Sequence, residues 1–473
     1  MIKRTIAVML ILCMVIGLCA CSSGGGKETE KQTETEIQTE TGSETEQQTE
    51  TEPVTETEAQ TETEPVTETE AQTETEPVTE EQTEPEPVTE TQGQTGVNWD
   101  SEIEGINNGV ITGVNDSAIQ LFEAMREKDK NIFISPVSIY LCYSMLYAGA
   151  DGESKEELAR LFNFHYDNAF QTKEAGKLME YMLQEKEGSL LMVANSMWIR
   201  DTFESYVNPD YVASVRDGLK SEVNTRDFSA ETAKEINNWV YEHTGKMIDH
   251  IIDELSPEDF MVLVNCVFFD GKWWIPFEKE GTHEDIFHSP DGELKVDFMH
   301  MTEMMEYFED DDVQAISMPY RGGQSMVVIL PKEGSTESDP LARLGEIKDG
   351  MKSDRDVRLS FPKVDIAYGG GEEFPNALKA LGVTTMFDSQ NDDFYNITSV
   401  GAYVGDTLHK TALIIDEEGT KAAAVTSITV KAEAVFEREE PVIMDINRPF
   451  YAVILDDATG TVIFCGYIAN PTE

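Results

Sequence analysis

Gly419-Thr-Lys-Ala-Ala-Ala-Val-Thr-Ser-Ile-Thr-Val-Lys-Ala432 is the stretch on which the reading of this chain turns. In an extended chain, successive side chains point to opposite faces. One face here carries Thr420, Ala422, Ala424, Thr426, Ile428, Val430 and Ala432, small or apolar throughout and without charge. The other carries Lys421, Ala423, Val425, Ser427, Thr429 and Lys431. No proline interrupts the segment and its second half is rich in β-branched residues, so it can join a sheet with one face buried and the other in water. The plain alternative is a flexible Ala/Thr-rich connection between two strands.

Working outward, Ala412–Ile415 before this stretch and Tyr451–Leu455 and Val462–Tyr467 after it read as strands, as do Met261–Asp270 and Ser325–Leu330. Val114–Arg126, Val137–Ala148 and Lys234–His243 read as helices, the second opened by Ser135-Pro136, a cap and a first-turn proline. Helices dominate early and strands late, which predicts an α+β domain. None of the seven histidines lies in an HExxH pattern, and neither a Gly-x-Ser-x-Gly elbow nor a Walker loop occurs. His283 and His288, near Glu284 and Asp285, read as exposed loop residues, and no metal or cofactor is expected. Cys142, Cys266 and Cys465 each sit in an apolar run and read as buried free thiols.

Five blocks, taken together, resemble one family. They are Asn131-Ile-Phe-Ile-Ser-Pro-Val-Ser-Ile139, Leu263-Val-Asn-Cys-Val-Phe-Phe-Asp-Gly-Lys-Trp273, Asp416-Glu-Glu-Gly-Thr-Lys-Ala-Ala-Ala424, Asn447-Arg-Pro-Phe450 and Phe464-Cys-Gly-Tyr-Ile-Ala-Asn-Pro471. In content and order they resemble the serpins, inhibitors of serine proteases. The resemblance implies a serpin fold with three β-sheets, about nine helices and an exposed reactive loop. It implies a suicide substrate and not an enzyme: a protease cuts the loop, and the loop inserts into the central sheet with the acyl-enzyme attached.

Carried over residue by residue, the resemblance makes Glu417, Gly419, Thr420, Ala422, Ala423 and Ala424 the hinge. Ser135, Ser138, Asn265 and His409 become a hydrogen-bonded cluster where the sheet parts, and Trp273 lies near the insertion point. Counting the family's spacing from Glu417 puts the reactive bond between Glu433 and Ala434, with Lys431 and Ala432 as alternates. The partner is then a serine protease, or a cysteine protease, and the chain a monomer. Lys421, where the family often has glutamate, and Val425, where alanine is commoner, depart from the pattern; both fall on the face expected to meet water. A charge at Thr420, the first residue in, would have to be desolvated. The alternative function is a non-inhibitory serpin serving as a surface binding or structural protein. A lipid-anchored solute-binding protein would show regular strand–helix alternation, and a hydrolase a recognisable nucleophile and base; neither pattern is present.

The N-terminal fifth is of another kind. Residues 1–20 combine Lys3-Arg4 with an apolar run, as in an export signal, and end at Leu18-Cys19-Ala20-Cys21, which resembles a bacterial lipobox. Cleavage after Ala20 would leave Cys21 to carry the lipid that anchors the chain to the outer face of the cell membrane. Residues 21–96 repeat Thr-Glu-Thr-Glu-Pro-Val-Thr-Glu-Thr-Glu-Ala-Gln from Thr49, Thr61 and Thr73, too polar to offset chain entropy. This predicts a disordered tether of at most about 250 Å at about 3.3 Å per residue, ahead of a domain over 97–473. The net charge of −56 argues against nucleic acid as a partner.

Overall fold

The first buried helix forms for local reasons. The Ser135 hydroxyl accepts the Ser138 N–H at 3.4 Å, and Pro136 occupies the first turn, where no N–H is needed. All twelve residues of Pro136–Tyr147 are buried, so the helix lies inside the core and not on it. The helix expected over Val114–Arg126 starts earlier, as Asn108–Met125, because the Asn107 side chain caps it by accepting the Gly109 N–H at 2.8 Å. Ala230–His243 likewise extends the expected Lys234–His243 by one turn.

This computed structural model describes residues 106–164, 167–256, 258–335, 339–369, 373–405, 409–420 and 440–472. The signal, the tether with Cys21, and Ala422, Ala423, Ala424, Lys431, Ala432, Glu433 and Ala434 of the loop lie outside them. Among the described residues are eight α-helices, four short 3₁₀ turns and sixteen strands in three sheets, the α+β architecture that the resemblance implies. One six-stranded sheet runs Ile132–Ile134, Val462–Ile468, Phe450–Asp456, Gln324–Pro331, Val313–Pro319, Glu306–Glu309. A four-stranded sheet runs Val442–Asp445, Asp356–Pro362, Gly292–Met304, His283–Ser289. His283 and His288 are therefore exposed strand residues, not loop residues. Cys142, Cys266 and Cys465 are buried and free.

The central sheet positions the site. Its order is Val364–Gly369, Lys410–Ile415, Gly419–Thr420, Met261–Lys272, Ser189–Arg200, Glu222–Arg226. Met261–Lys272 pairs with Ser189–Arg200 over eleven residues, but on its other edge the register holds two pairs, Gly419 with Lys272 and Thr420 with Gly271. Lys410–Ile415 meets the two-residue strand through one pair, Ile415 with Thr420. Among the described residues, a strand-wide gap thus runs down the middle of the sheet.

The two faces of the Met261–Lys272 strand alternate cleanly. Met261, Leu263 and Phe269 join the main core, while Val262, Val264 and Cys266 pack beneath Ala233, Ile236 and Val240 of the Ala230–His243 helix and Ile248, Ile251 and Ile252 of the chain after it. The face expected to meet water is therefore roofed over this length. The charged surface of the roofing helix hid this: its apolar stripe faces a sheet face whose own apolar residues read as core.

Candidate functional site: the gap in the central sheet and its two ends

At the head of the gap, Asp416-Glu-Glu-Gly419 closes a turn. The Asp416 carboxylate accepts the N–H groups of Glu418 and Gly419 at 2.8 and 3.2 Å, and the Asp416 N–H donates to the Gly419 carbonyl at 2.9 Å. Gly419 runs so close to the neighbouring strand that a Cβ there would stand 2.0 Å from the Gly271 carbonyl oxygen. Only glycine fits. Thr420 beyond it is 4% exposed, and its Oγ1 lies 2.5 Å from the Tyr320 hydroxyl.

Four side chains, Trp273, Thr282, Lys363 and Lys279, clamp this turn from outside. The Trp273 indole N–H donates to the Asp416 carbonyl at 3.0 Å, its backbone N–H donates to the Glu418 carbonyl at 2.9 Å, and its ring stacks on Tyr320 at 4.4 Å. Trp273 is thereby tied to the hinge and is more than core packing. The buried Glu417 carboxylate accepts from the Thr282 hydroxyl and the Lys363 ammonium, each at 2.8 Å. Burial pushes its pKa upward, but those partners outweigh burial and hold it below the ordinary glutamate value. Glu418, on the rim, meets Lys279 at 2.7 Å. Tyr320 was not legible as a site residue, since nothing in Met318-Pro-Tyr-Arg321 marks it until the fold brings it to Thr420.

Lower down, the gap is floored by polar side chains. The Ser135 N–H donates to His409 Nε2 at 3.1 Å and the Ser135 hydroxyl to the Ile463 carbonyl at 2.8 Å. The Ser138 hydroxyl donates to Asn265 Oδ1, Asn265 Nδ2 to Asn195 Oδ1 at 2.6 Å, and Asn195 Nδ2 to the Leu219 carbonyl at 2.9 Å. The four residues carried over from the resemblance thus stand as two linked sets on either side of the gap, joined through the Ser135 side chain, which caps Ser138. Asn195 and Thr411, whose hydroxyl donates to the Phe133 carbonyl, belong to the same floor and were missed. Asn195 faces Asn265 directly across the strand pair, so aligning the two strands would have found it.

Between hinge and floor lies a cavity of about 30 Å³, lined by Val267, Phe269, Leu413, Phe133, Phe464 and Thr420 and closed above by Met247 and Ile248. Among the described residues no group of three His, Cys, Asp or Glu side chains could hold a metal.

His409 is neutral in this setting: burial pushes its pKa down to about 3. Its Nε2 accepts a hydrogen bond, so the ring proton sits on Nδ1. The unfolded chain, with a histidine pKa of about 6.5, binds a second proton where the fold refuses it. His409 therefore leaves stability untouched above about pH 6.5 and lowers it progressively as pH falls towards 3. Between pH 6.5 and 4.5 the loss should reach about 2 kcal/mol, the slope rising to about 1.4 kcal/mol per pH unit once the unfolded histidine is fully charged. Denaturant unfolding of the chain and of His409→Gln across this range should show the parent losing that much more; parallel profiles would rule the mechanism out.

Among the described residues this is a three-sheet domain whose central sheet carries, between two longer strands, a strand of only a glycine–threonine pair. Residues 112–471 match the family model described as Serpin (serine protease inhibitor). The chain belongs to the serpin family. It is 32% identical over 380 residues to an uncharacterised serpin-like protein of Thermococcus kodakarensis, covering 78% of this chain and 88% of that one. To the antitrypsin of Bombyx mori it is 28% identical over 385 residues, covering 78% and 96%. The crystal structure of the thermophilic serpin tengpin in its native state superposes with a TM-score of 0.69 at 31% identity, over 78% of this chain and 96% of that one.

Proposed function

We propose that this serpin inhibits serine-type endopeptidases as a single-use trap, exported and lipid-anchored through Cys21. The observation that carries the reading is Thr420, already seated as the first residue of a new strand at the head of the gap. The protease serine attacks the Glu433 carbonyl, an ester forms, and Ala434 leaves as a free amine. The ester is then carried away from the attacking water's geometry as the loop enters the sheet.

The register supports this. Each step along the loop is one step back along both neighbours, so Ala422 would pair with Phe269 and Leu413, Ala424 with Val267 and Thr411, and Thr426 with Asn265 and His409. Ile428 would then meet Leu263, and Val430 Met261. The core-facing polar side chains of the loop would thus reach polar partners, Thr420 at Tyr320 and Thr426 at the floor, while the apolar ones would reach rows that are apolar except for Thr411 opposite Ala424, whose hydroxyl is satisfied by the Phe133 carbonyl. Buried polar groups that find partners on arrival do not oppose insertion. Lys421 would fall beside Asp270, an acceptable place for a cation. Val425 would fall beside Cys266, under the roof, so the roof has to lift for it.

The purified full chain, incubated with glutamate-selective, elastase-like and trypsin-like serine proteases, should form with at least one of them a covalent complex that survives denaturation. A C-terminal fragment beginning at Ala434 should be released. Cleavage by all three with no complex would refute inhibition of these enzymes and favour the non-inhibitory alternative. The mass of the same preparation should include a diacylglycerol that Cys21→Ser removes; a lipid-free chain would refute the anchor.

A further inference from the structure

A second cavity, about 610 Å³, opens beside the hinge, with Trp273 as one wall. Its lining includes Trp274, Met301, Met304, Met305 and Met318, so four thioethers share one space. Three of them come from a dense run, since four of the seven residues from Met299 to Met305 are methionine. Methionine is most often a filler of irregular gaps in a core. That accounts for Met318, which is 4% exposed, but not for Met304, which is 55% exposed in the same lining as Trp274 at 62%. Large apolar side chains left in water along a concavity mark a binding surface more often than scattered ones do.

The fold brings the four within reach of one point. The strand Gly292–Met304 is followed by the strand Glu306–Glu309, with Met305 as the single residue between them. Met301 and Met304 would face opposite sides of a straight strand. Both line the cavity, so the chain bends around it here. Glu306 pairs with Ser317, and one step outward brings Met305 level with Met318. Facing residues of such a pair stand about 5 Å apart at their Cβ atoms. Met301 and Met304 are at most about 10 Å apart along the chain, at about 3.3 Å per residue. Two methionine side chains, each turning on three bonds, span that distance with an ion between them. An ion needs only the corner of the cavity where these side chains meet.

The charged groups of the wall are committed elsewhere. The Lys348 ammonium is held by Glu306 at 2.8 Å and by the Ser317 hydroxyl at 2.9 Å. Asp457 is hydrogen-bonded to Ser325 and faces Lys348, and burial raises its pKa above the ordinary aspartate value. Glu303 is engaged as well. Magnesium and calcium, which need a shell of oxygen ligands, are poorly served by such a wall. The donors it offers in number are sulfur, and thioethers select soft ions, copper(I) above all. Trp274, whose backbone N–H donates to the Pro319 carbonyl at 2.8 Å, adds an aromatic ring of the kind that attracts cations. We propose that Met301, Met304, Met305 and Met318 form a thioether site for a soft monovalent cation, copper(I) or its analogue silver(I), with Trp274 beside it. The proposal does not depend on the chain being an inhibitor.

Calorimetry on the purified full chain, with accessible thiols blocked by N-ethylmaleimide, tests it with silver(I) nitrate in chloride-free buffer. Copper(I), kept reduced by ascorbate under nitrogen and competed against bicinchoninate, gives the second reading. Each ion should bind one per chain with micromolar affinity or better, and silver(I) should quench part of the tryptophan fluorescence. The double variant Met301→Leu/Met304→Leu should weaken both ions at least tenfold. Trp274→Phe should remove the quenched part and keep the stoichiometry. Leucine preserves an apolar side chain of similar volume, so the thermal midpoint should hold. If it falls, Met304→Leu alone, at a largely exposed position, decides, and it should still weaken silver(I) severalfold. Silver(I) binding indifferent to these methionine substitutions, the lack of a one-to-one site in the micromolar range, or zinc(II) binding as tightly and lost with the same methionines would each overturn the proposal.

Discussion

Arginine in place of Thr420 should turn the chain from a trap into a substrate, cut at the same bond but releasing the protease. Thr420 is buried opposite Gly271 and its hydroxyl meets the Tyr320 hydroxyl. A guanidinium there would have to enter the buried site occupied by the Thr420 side chain beside Tyr320, and burying a charge without full compensation costs several kcal/mol. An arginine would leave this seat in the intact chain, and insertion would have to bury it, so the cost would fall on the first step and slow it against hydrolysis of the ester. A barrier raised by about 3 kcal/mol is a slowing of about 100-fold. The partition from complex to simple cleavage should shift by that order, read on denaturing gels as lost complex at unchanged rate of loop cleavage. Thr420→Ser, which keeps the hydroxyl for Tyr320, should still trap. Complex formation by Thr420→Arg at the parent yield would sink the insertion mechanism as the source of inhibition.

The second large effect is thermal. Cutting the loop with any protease that acts between Lys431 and Arg438 should raise the unfolding midpoint by ten degrees or more. The ten residues from Lys421 to Val430 would then lie between Met261–Lys272 and Lys410–Ile415, supplying ladder partners to both edges of the gap. Taking about 1 kcal/mol net per inserted residue gives about 10 kcal/mol. With about 2.1 cal/mol/K of unfolding entropy per residue, a domain of this size gains roughly a dozen degrees. The comparison is made by calorimetry on intact and cleaved full chain. An unchanged midpoint would mean that the gap does not accept the loop, whatever the protease assay shows. Because this reading needs no trapped enzyme, it separates a chain that cannot insert from one offered the wrong protease.

Much of this was legible in the residues, and the boundary of legibility has physical causes. The alternation from Thr420 to Val430 is local, a matter of which side chains share a face, but from Lys421 on it lies outside the described residues. The capped, wholly buried Pro136–Tyr147 helix reads directly. Ser135, Ser138, Asn265 and His409 were reached through the family's pattern, because their meeting depends on contacts spanning 127 to 274 residues of chain. Asn195 and Thr411 escaped because neither carries a local signal; each becomes part of the floor only through strand register. Tyr320 escaped for the same reason, coming from the end of a strand in another sheet to meet Thr420 across 100 residues. The roof was misjudged for a different cause. A strand apolar on both faces looks the same whether its second face meets a neighbouring sheet or a single amphipathic helix. The cavity beside Trp274 carries no motif, since methionines spaced along a strand read as ordinary core.

The roof also decides how the molecule keeps time. A device that discharges once needs a latch as much as a spring, and here the two are separate pieces of the chain. On the proposed mechanism, the spring is the pair of facing edges, Met261–Lys272 and Lys410–Ile415, which among the described residues share only the two-residue strand between them. The latch is the apolar contact between the Ala230–His243 helix, with Ile248, Ile251 and Ile252 behind it, and the strands it covers. On the proposed register those side chains would have to give way for Val425 to take its place beside Cys266 and then close over it, so they would contribute to the barrier and little to the difference between its two sides. If the chain is the proposed trap, its shelf life can therefore be set through Ile236 or Ile248 while its grip on a captured enzyme is left to the loop.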